Sequence, residues 1–247
     1  MGFAELHFHL LPGVDDGPGS LTESVALART ALADGAAIVV ATPHIHPEYL
    51  TDTADVGGLT REVTARLRRD GVALAVLPGG ELAHTMVGRL GQAALERIAQ
   101  GPPSRRWLLL EAPFEGLGAD FTAAAHELRG RGFGIVIAHP ERIADGPETR
   151  LRLDRERALG STIQVTADAI TGGHGDDVRR RALALLRAPG VAVIASDAHG
   201  PHRPPALRAA LASLAAAGER DGSRFTGAAP RRLLTHGLAP GALPHAA

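Results

Sequence analysis

The sequence predicts an α/β protein whose parallel strands close into a barrel. Seven short apolar runs recur along the 247 residues, and a helical pattern follows nearly every run. Alternating strands and helices are typical of a parallel sheet covered by helices. Histidines or carboxylates end six of the seven runs, and a closed ring lets all these ends meet around one point. We therefore favour a closed barrel over an open doubly wound sheet.

The first apolar run carries a His-x-His pattern. Alternate residues of a strand point to the same side, so His7 and His9 are expected to face one way while the residues between them face apolar packing. A turn rich in Pro and Gly then brings Asp16 near the strand end, with Asp15 as the alternative carboxylate. A lone His-x-His is more often incidental than metal-binding, but here ligand-type residues recur at the other strand ends.

The remaining elements follow in order. A capping box formed by Ser20 and Glu23 opens the first helix, which is expected to end near Gly35. The other apolar runs cover residues 37–41, 72–77, 107–110, 134–138, 162–166 and 191–195. Further helices are expected at about 59–70, 86–100, 120–131, 147–159, 176–187, 204–217 and 226–234, with loops at 48–58 and 168–175. The whole chain, residues 1–247, is expected to be one domain, ordered to about residue 236 and frayed beyond it.

The composition excludes several classes of protein. The formal net charge of -1 gives no bulk attraction to nucleic acid or to an anionic membrane. The chain has no cysteine, which excludes disulfides and thiolate metal sites. No stretch has the pattern of a signal peptide or the length of a membrane span. We expect a cytoplasmic protein without a membrane span or a nucleic-acid partner, and the sequence leaves open whether it forms a homo-oligomer.

The residues at the run ends and in the first turn form a candidate metal site. They comprise five histidines and four carboxylates, too many for one ion and suited to two or three. Nitrogen and oxygen donors together suit Mn, Fe or Zn, whereas sites for Mg or Ca are built from oxygen. The predicted ligands are His7, His9, Asp16, His44, Glu81, Glu111, His139, Asp197 and His199.

The charge of such a site points to a phosphate ester. Three divalent ions against four carboxylates leave a net charge of roughly +2, which favours a phosphate dianion. Arg142 and Arg203 follow strand ends and are predicted to grip phosphate oxygens, with a plain surface role as the alternative. Asp197 and His199 are assigned to catalysis as well as to metal binding. The roles of His46 and His84 stay open between substrate contact and a supporting position.

These residues resemble the PHP (polymerase and histidinol phosphatase) superfamily. Within it, the chain is similar to the manganese-dependent bacterial tyrosine-protein phosphatases of capsule and exopolysaccharide operons. The resemblance covers most of the chain. The matching stretches are His7-Phe-His9 with Asp16, Ala41-Thr-Pro-His44, Gly80-Glu81, Leu110-Glu111, Ala138-His-Pro-Glu-Arg142 and Ala195-Ser-Asp-Ala-His199 with Arg203.

The resemblance implies a single PHP-type catalytic domain, folded as a distorted seven-stranded TIM-like β/α barrel. It also implies three divalent metal ions, manganese by preference with iron or zinc as alternatives. It places the first metal on His7, His9, Glu81 and Asp197, the second on Glu81, Glu111 and His139, and the third on Asp16, His44 and His199. It gives Arg142 and Arg203 the role of phosphate-binding arginines. It also implies attack by a metal-bridging hydroxide on phosphotyrosine, without a phosphoenzyme intermediate.

Three positions depart from the usual family pattern. Glu5 stands where Asp is usual, Ile45 separates His44 from His46, and the loop over residues 199–203 is short. These differences leave the predicted ligand set intact and bear on the choice of substrate.

The leading functional hypothesis is a metal-dependent phosphomonoesterase that acts on phosphotyrosine in proteins. A phosphatase for a small metabolite such as histidinol phosphate is the first alternative. A metal-binding regulatory domain without turnover is the second, and the complete ligand set weighs against it.

Overall fold

The computed structural model describes residues 2–219 and 221–241. Within them, nine strands form two sheets, in the orders β1-β2-β4 and β3-β5-β6-β7-β8-β9. Every pairing between these strands is parallel, which confirms the α/β class with parallel sheets. The strands are β1 (Phe3–Phe8), β2 (Ala36–Ala41), β3 (His44–Ile45), β4 (Ala75–Pro78), β5 (Glu81–Ala83), β6 (Trp107–Glu111), β7 (Gly134–Ala138), β8 (Thr162–Thr166) and β9 (Ala192–Ala195).

Seven of the helices in the described part of the chain lie between strands and two follow the last strand, which agrees with the predicted alternation. They are α1 (Leu21–Asp34), α2 (Val56–Arg69), α3 (Gln92–Ile98), α4 (Ala119–Gly130), α5 (Pro147–Ala158), α6 (Ala167–Thr171), α7 (Asp176–Arg187), α8 (Leu207–Ala216) and α9 (Ala228–His236). Two expectations were wrong. The helix expected over 86–100 is a 3-10 helix at His84–Arg89 followed by α3, with an extended backbone at Leu90 and Gly91 between them. The loop expected over 168–175 begins with α6. Among the described residues, no helix is both long and apolar enough to cross a bilayer.

The strands do not form one sheet of seven, because two of the predicted strands are interrupted. The second strand divides into β2 and β3 at Thr42-Pro43, and Pro43 has no N–H to donate to a ladder. The third divides into β4 and β5 at Gly79-Gly80, where a Cβ on Gly79 would lie 2.5 Å from Cγ1 of Val40. The interrupted strands belong to one sheet before the break and to the other sheet after it.

Hydrogen bonds join the two sheets on both sides. The N–H of Asp197 donates to the carbonyl of His7 at 3.0 Å, and the N–H of His9 donates to the carbonyl of Ala198 at 2.9 Å. On the other side, the N–H of Glu81 donates to the carbonyl of Pro43 at 3.0 Å. The two hydrogen bonds of His7 and His9 place β1 beside the segment that follows β9.

An apolar core lies between the two sheets, next to the candidate site. One buried cluster takes side chains from strands of both sheets: Leu6, Val40, Trp107, Leu109, Val136, Ala138 and Val193, with Leu233 of α9. Residues two apart in β6 share a face, so Trp107, Leu109 and Glu111 follow one another along it. The indole N–H of Trp107 donates to the carbonyl of Leu233 at 3.0 Å. Trp107 and α9 thus close one end of this core, and Glu111 lies at the other.

Candidate metal centre

Seven of the nine predicted ligands lie at or after the carboxyl ends of β1, β6, β7 and β9, and the other two, His44 and Glu81, begin the short strands β3 and β5 that follow the breaks. The nine residues are spread from residue 7 to residue 199 of the sequence. Parallel strands place their carboxyl ends on one side of the sheet, so the fold itself gathers these side chains.

Glu81 is at the centre of the cluster. Its Oε2 lies 3.1 Å from Nε2 of His7, 3.3 Å from Nε2 of His9 and 3.0 Å from Nδ1 of His44. Its other oxygen, Oε1, lies 2.8 Å from Nε2 of His139. One carboxylate therefore contacts four imidazoles: His7 in β1, His44 in β3, and His9 and His139, which directly follow β1 and β7.

The donor atoms form three overlapping groups, within each of which they lie no more than 4.8 Å apart. The groups are His7, His9, Glu81 and Asp197; His9, Asp16, His44 and His199; and His44, Glu81 and Glu111. The first group is the same as the first set implied by the resemblance, and the second adds His9 to the implied third set. In the remaining group His44 stands in place of His139, which instead contacts Glu81. That these residues bind metal stays a prediction.

Buried atoms without partners fit a cationic occupant. Among the described residues, Oε2 of Glu81 and Oδ1 of Asp197 are buried and accept no hydrogen bond of acceptable geometry. Nε2 of His7 and Nε2 of His9 lie only 3.2 Å apart beside these oxygens. Burying so many lone pairs is costly unless cations or protons compensate for them. The donor set of imidazole and carboxylate suits Mn, Fe or Zn.

Asp15 supports the cluster from outside. Its Oδ2 accepts a hydrogen bond from Nδ1 of His9 at 2.7 Å and another from the N–H of His44 at 3.0 Å. Its Oδ1 accepts from the N–H of Gly17 at 2.9 Å. Both oxygens of Asp15 therefore accept hydrogen bonds already. The carboxylate of Asp16 instead faces His199, with 3.2 Å between Oδ1 of Asp16 and Nε2 of His199. The alternative in which Asp15 replaces Asp16 in the cluster does not agree with these contacts.

Gln164 is a site residue that sequence reasoning missed. It lies in β8, the strand without a predicted ligand, and its Oε1 accepts a hydrogen bond from Nδ1 of His7 at 2.9 Å. The same oxygen accepts from the backbone N–H of His139 at 3.2 Å. A proton on Nδ1 leaves Nε2 of His7 free to face the cluster. The available signal was a Gln at the centre of the sixth apolar run, in a strand that is buried throughout.

Two predicted ligands have a strained backbone. Among the described residues, His139 (φ 35°) and Asp197 (φ 53°) are the non-glycine residues with positive φ. Such conformations cost on the order of 1–3 kcal/mol and concentrate at functional sites. At His139 this turn opens a 3-10 helix, Pro140–Arg142, that directs Arg142 back toward the cluster.

Burial, neighbouring charges and hydrogen bonds shift the pKa values of several residues of the cluster. Burial raises the pKa of Glu81 and of Asp197, but the charge of His7 and neighbouring hydrogen bonds outweigh burial and hold both pKa values well below the usual range. Burial and the charge of Glu81 raise the pKa of Glu111 to about 7. Burial and the charge of His9 lower the pKa of His199 to about 3. His199 is therefore a neutral imidazole with a lone pair to offer.

Both predicted phosphate-binding arginines contact Asp197. Arg142 donates from Nη1 to Oδ2 of Asp197 at 2.8 Å, and Arg203 donates from Nη2 to the same oxygen. The opposite oxygen, Oδ1, lies 3.1 Å from Nε2 of His7. Asp197 thus connects the arginines to the ligand cluster.

The site opens into a cavity of about 400 Å³. Its lining includes Glu111, His139 and the two arginines, together with His46, His84 and Glu115. Glu141, between His139 and Arg142, is fully buried and accepts a hydrogen bond from the N–H of Thr166 at 2.7 Å.

The fold and the site define a parallel α/β protein with a candidate metal centre of histidines and carboxylates. Residues 3–234 match the family model described as "Capsular polysaccharide synthesis, CpsB/CapC". The chain therefore belongs to the CpsB/CapC family. The predicted resemblance to tyrosine phosphatases of capsule operons is confirmed at this level.

The chain is also similar in sequence to proteins named as tyrosine-protein phosphatases. The chain is 30% identical over 196 residues to the tyrosine-protein phosphatase YwqE of Bacillus subtilis, covering 79% of this chain and 76% of the relative. It is 29% identical over 199 residues to the putative tyrosine-protein phosphatase CapC of Staphylococcus aureus, with the same two coverages.

Solved structures share the fold. One comes from a study of crystal structures of YwqE from Bacillus subtilis and CpsB from Streptococcus pneumoniae, which are described there as unique metal-dependent tyrosine phosphatases. It matches with a TM-score of 0.81 at 27% identity, over 96% of this chain and 98% of that chain. An organophosphorus hydrolase variant from Deinococcus radiodurans matches with a TM-score of 0.56 at 16% identity, over 94% and 92% of the two chains, which shows the fold alone.

Proposed function

We propose that this protein is a metal-dependent phosphomonoesterase that hydrolyses phosphotyrosine in proteins. The observation that carries the proposal is that eight of the nine predicted ligands form three overlapping groups of donor atoms, with the ninth, His139, against Glu81. Two arginines lie beside them and line the same cavity as Glu111 and His139. The relatives named tyrosine-protein phosphatases support the choice of phosphotyrosine over other phosphate esters.

The site is proposed to hold three divalent ions. The three overlapping groups of donor atoms support this number, and the mixture of imidazole and carboxylate supports manganese, with iron or zinc as alternatives. The ions would be held by the nine predicted ligands, which are His7, His9, Asp16, His44, Glu81, Glu111, His139, Asp197 and His199. Divalent ions in such a site supply Lewis acidity toward phosphate oxygens and lower the pKa of water.

Other residues of the site would bind the phosphate or orient the metal ligands. Arg142 and Arg203 bind the phosphate and hold it against the cluster, since guanidinium groups form paired hydrogen bonds to its oxygens. Asp197 orients both arginines through its Oδ2. Gln164 and Asp15 hold His7 and His9 in the tautomers whose Nε2 atoms face the cluster.

The finer architecture is also a proposal. We infer that the two sheets act as one distorted seven-stranded barrel in which β2–β3 and β4–β5 are single interrupted strands. The hydrogen bonds between the chain after β9 and β1 support this closure. We further propose one catalytic domain over residues 1–247, a cytoplasmic location and a role in capsule or exopolysaccharide synthesis, the last supported by the family description.

An assay of two substrates tests the function. Manganese-loaded protein should release phosphate from a phosphotyrosine peptide, far faster than from histidinol phosphate, and a chelator should abolish the activity. Faster release from histidinol phosphate would favour a metabolite phosphatase. No release from any phosphoester by protein of verified metal content would favour a regulatory domain. His126→Ala, a change on the exposed surface of α4, is the matched control for histidine substitutions and should retain activity.

A further inference from the structure

Two aromatic side chains, Tyr49 and Phe114, stand exposed at the rim of the cavity described above. They are 41% and 52% exposed, respectively, and both line the same cavity as Arg142 and Arg203. We propose that this aromatic pair binds the aryl ring of the substrate and makes the site selective for aryl over alkyl phosphate monoesters. The inference rests on the proposed function and names the residues that determine its substrate class.

The exposure of these two rings is unusual for this chain. It has only six Phe, one Tyr and one Trp. The other aromatic side chains in the described part of the chain are at least partly covered: Phe3 is half-buried, and Phe8, Trp107, Phe121, Phe133 and Phe225 are buried. Leaving large apolar surface in water forgoes the free energy of burial, so a pair exposed at one cavity suggests a ligand that covers it.

Phe114 lies beside the groups that would hold the phosphate. Its ring is parallel to the imidazole of His139 within 6°, with 6.1 Å between the ring centroids. The guanidinium carbon of Arg142 lies 5.2 Å from the centroid of the Phe114 ring. A phosphate held by Arg142 therefore has an aromatic surface next to it.

Tyr49 packs against a different histidine of the site, His44. Its ring stacks on the imidazole of His44, with 5.2 Å between centroids and 15° between planes. A tight turn fixes this position, because the N–H of Tyr49 donates to the carbonyl of His46 at 3.0 Å and the N–H of His46 donates to the carbonyl of Leu50 at 2.9 Å. Each member of the aromatic pair is thus anchored to a predicted metal ligand and turned toward the cavity.

Aromatic rings recognise an aryl group through stacked or edge-to-face contacts. Such contacts add to simple burial, and each is expected to contribute roughly two- to tenfold in affinity. A serine or threonine phosphate has no ring to offer and gains little from the pair. The two rings together should therefore favour an aryl ester by roughly tenfold or more.

Binding of non-hydrolysable phosphonates tests the proposal without relying on turnover. Isothermal titration of the manganese-loaded protein should show tighter binding of phenylphosphonate than of methylphosphonate. In the double variant Tyr49→Ala with Phe114→Ala, this preference should fall roughly tenfold, with binding of methylphosphonate and metal content unchanged. Tyr49→Phe and Phe114→Tyr keep a ring and should keep the preference. Leu151→Ala, at a 71% exposed site on α5 outside the lining of the cavity, is the control for loss of a surface side chain.

The outcomes separate this proposal from the proposed function. Equal affinity of the wild type for both phosphonates, an unchanged preference in the double variant, or equal weakening of both ligands would overturn the role of the aromatic pair. A wild type that prefers phenylphosphonate but never cleaves a phosphotyrosine peptide would leave aryl binding in place and refute the phosphatase. In an active enzyme, the double variant should show a raised KM for the phosphotyrosine peptide with kcat largely retained.

Discussion

Asp15 accepts a hydrogen bond from Nδ1 of His9 at 2.7 Å, and this contact fixes the ring that two of the three donor groups share. With its proton on Nδ1, His9 presents Nε2 to Glu81 and Asp197. Hydrogen bonds of this kind orient metal-binding imidazoles and raise their basicity. Asp15 thus acts on the cluster through another residue.

Loss of Asp15 should weaken metal binding without removing any predicted ligand. Asp15→Ala is expected to lower the affinity for manganese roughly 10- to 100-fold, and Asp15→Asn, which keeps an acceptor oxygen, should lower it less. Competition with a chelating dye would measure the change. Asp52→Ala, at an exposed position of the loop before α2, is the matched control. Unaltered affinity in Asp15→Ala would show that the contact has no part in metal binding.

Loss of His139 should act on the cluster directly. His139→Ala removes an imidazole that contacts Glu81 at 2.8 Å, and it is expected to reduce bound metal and to remove most activity. Metal content by mass spectrometry and hydrolysis of an aryl phosphate would check both effects. His126→Ala should behave as wild type, and a His139→Ala variant with full metal content and normal kinetics would refute the assignment.

Arg142→Ala should separate substrate binding from metal binding. The guanidinium touches Asp197 but is not one of the nitrogen donors of the cluster, so metal content should be retained. Losing a charge-assisted contact of about 1.5–3 kcal/mol should raise KM or lower kcat/KM by roughly 10- to 100-fold. Steady-state kinetics at saturating manganese would measure this. Unchanged kcat/KM would mean that the arginine serves only to orient Asp197.

The site was more predictable from the sequence than the sheet that carries it. Histidines and carboxylates at strand ends are visible as local patterns, and parallel topology brings those ends together. The breaks at Pro43 and Gly79 were not deduced, because they depend on how closely neighbouring strands approach. Gln164 was missed since its role comes from contacts with His7 and His139, far away in sequence. The short helix α6 has too few residues to show a helical period.

A buried acid near the cluster should make stability depend on pH. Burial raises the pKa of Glu5 to about 8, against hydrogen bonds from Ser196 that lower it. The folded protein therefore keeps a proton that the unfolded chain releases above about pH 4.5, so this group's stabilising contribution is full below that pH and is lost by about pH 8.

Glu5→Gln removes this proton exchange. Between about pH 5 and 8, the free energy of unfolding of chelator-treated wild type should fall relative to that of Glu5→Gln by up to about 1.4 kcal/mol per pH unit. Urea titrations at a series of pH values would measure the difference. Parallel curves for the two proteins would show that Glu5 titrates normally.

The number of manganese ions retained per chain tests the central claim most directly. After loading with manganese and removal of free metal, elemental analysis should find about three ions per chain, one for each of the three groups of donor atoms. Retention of no metal, or of a single ion, would contradict a trinuclear centre built around Glu81.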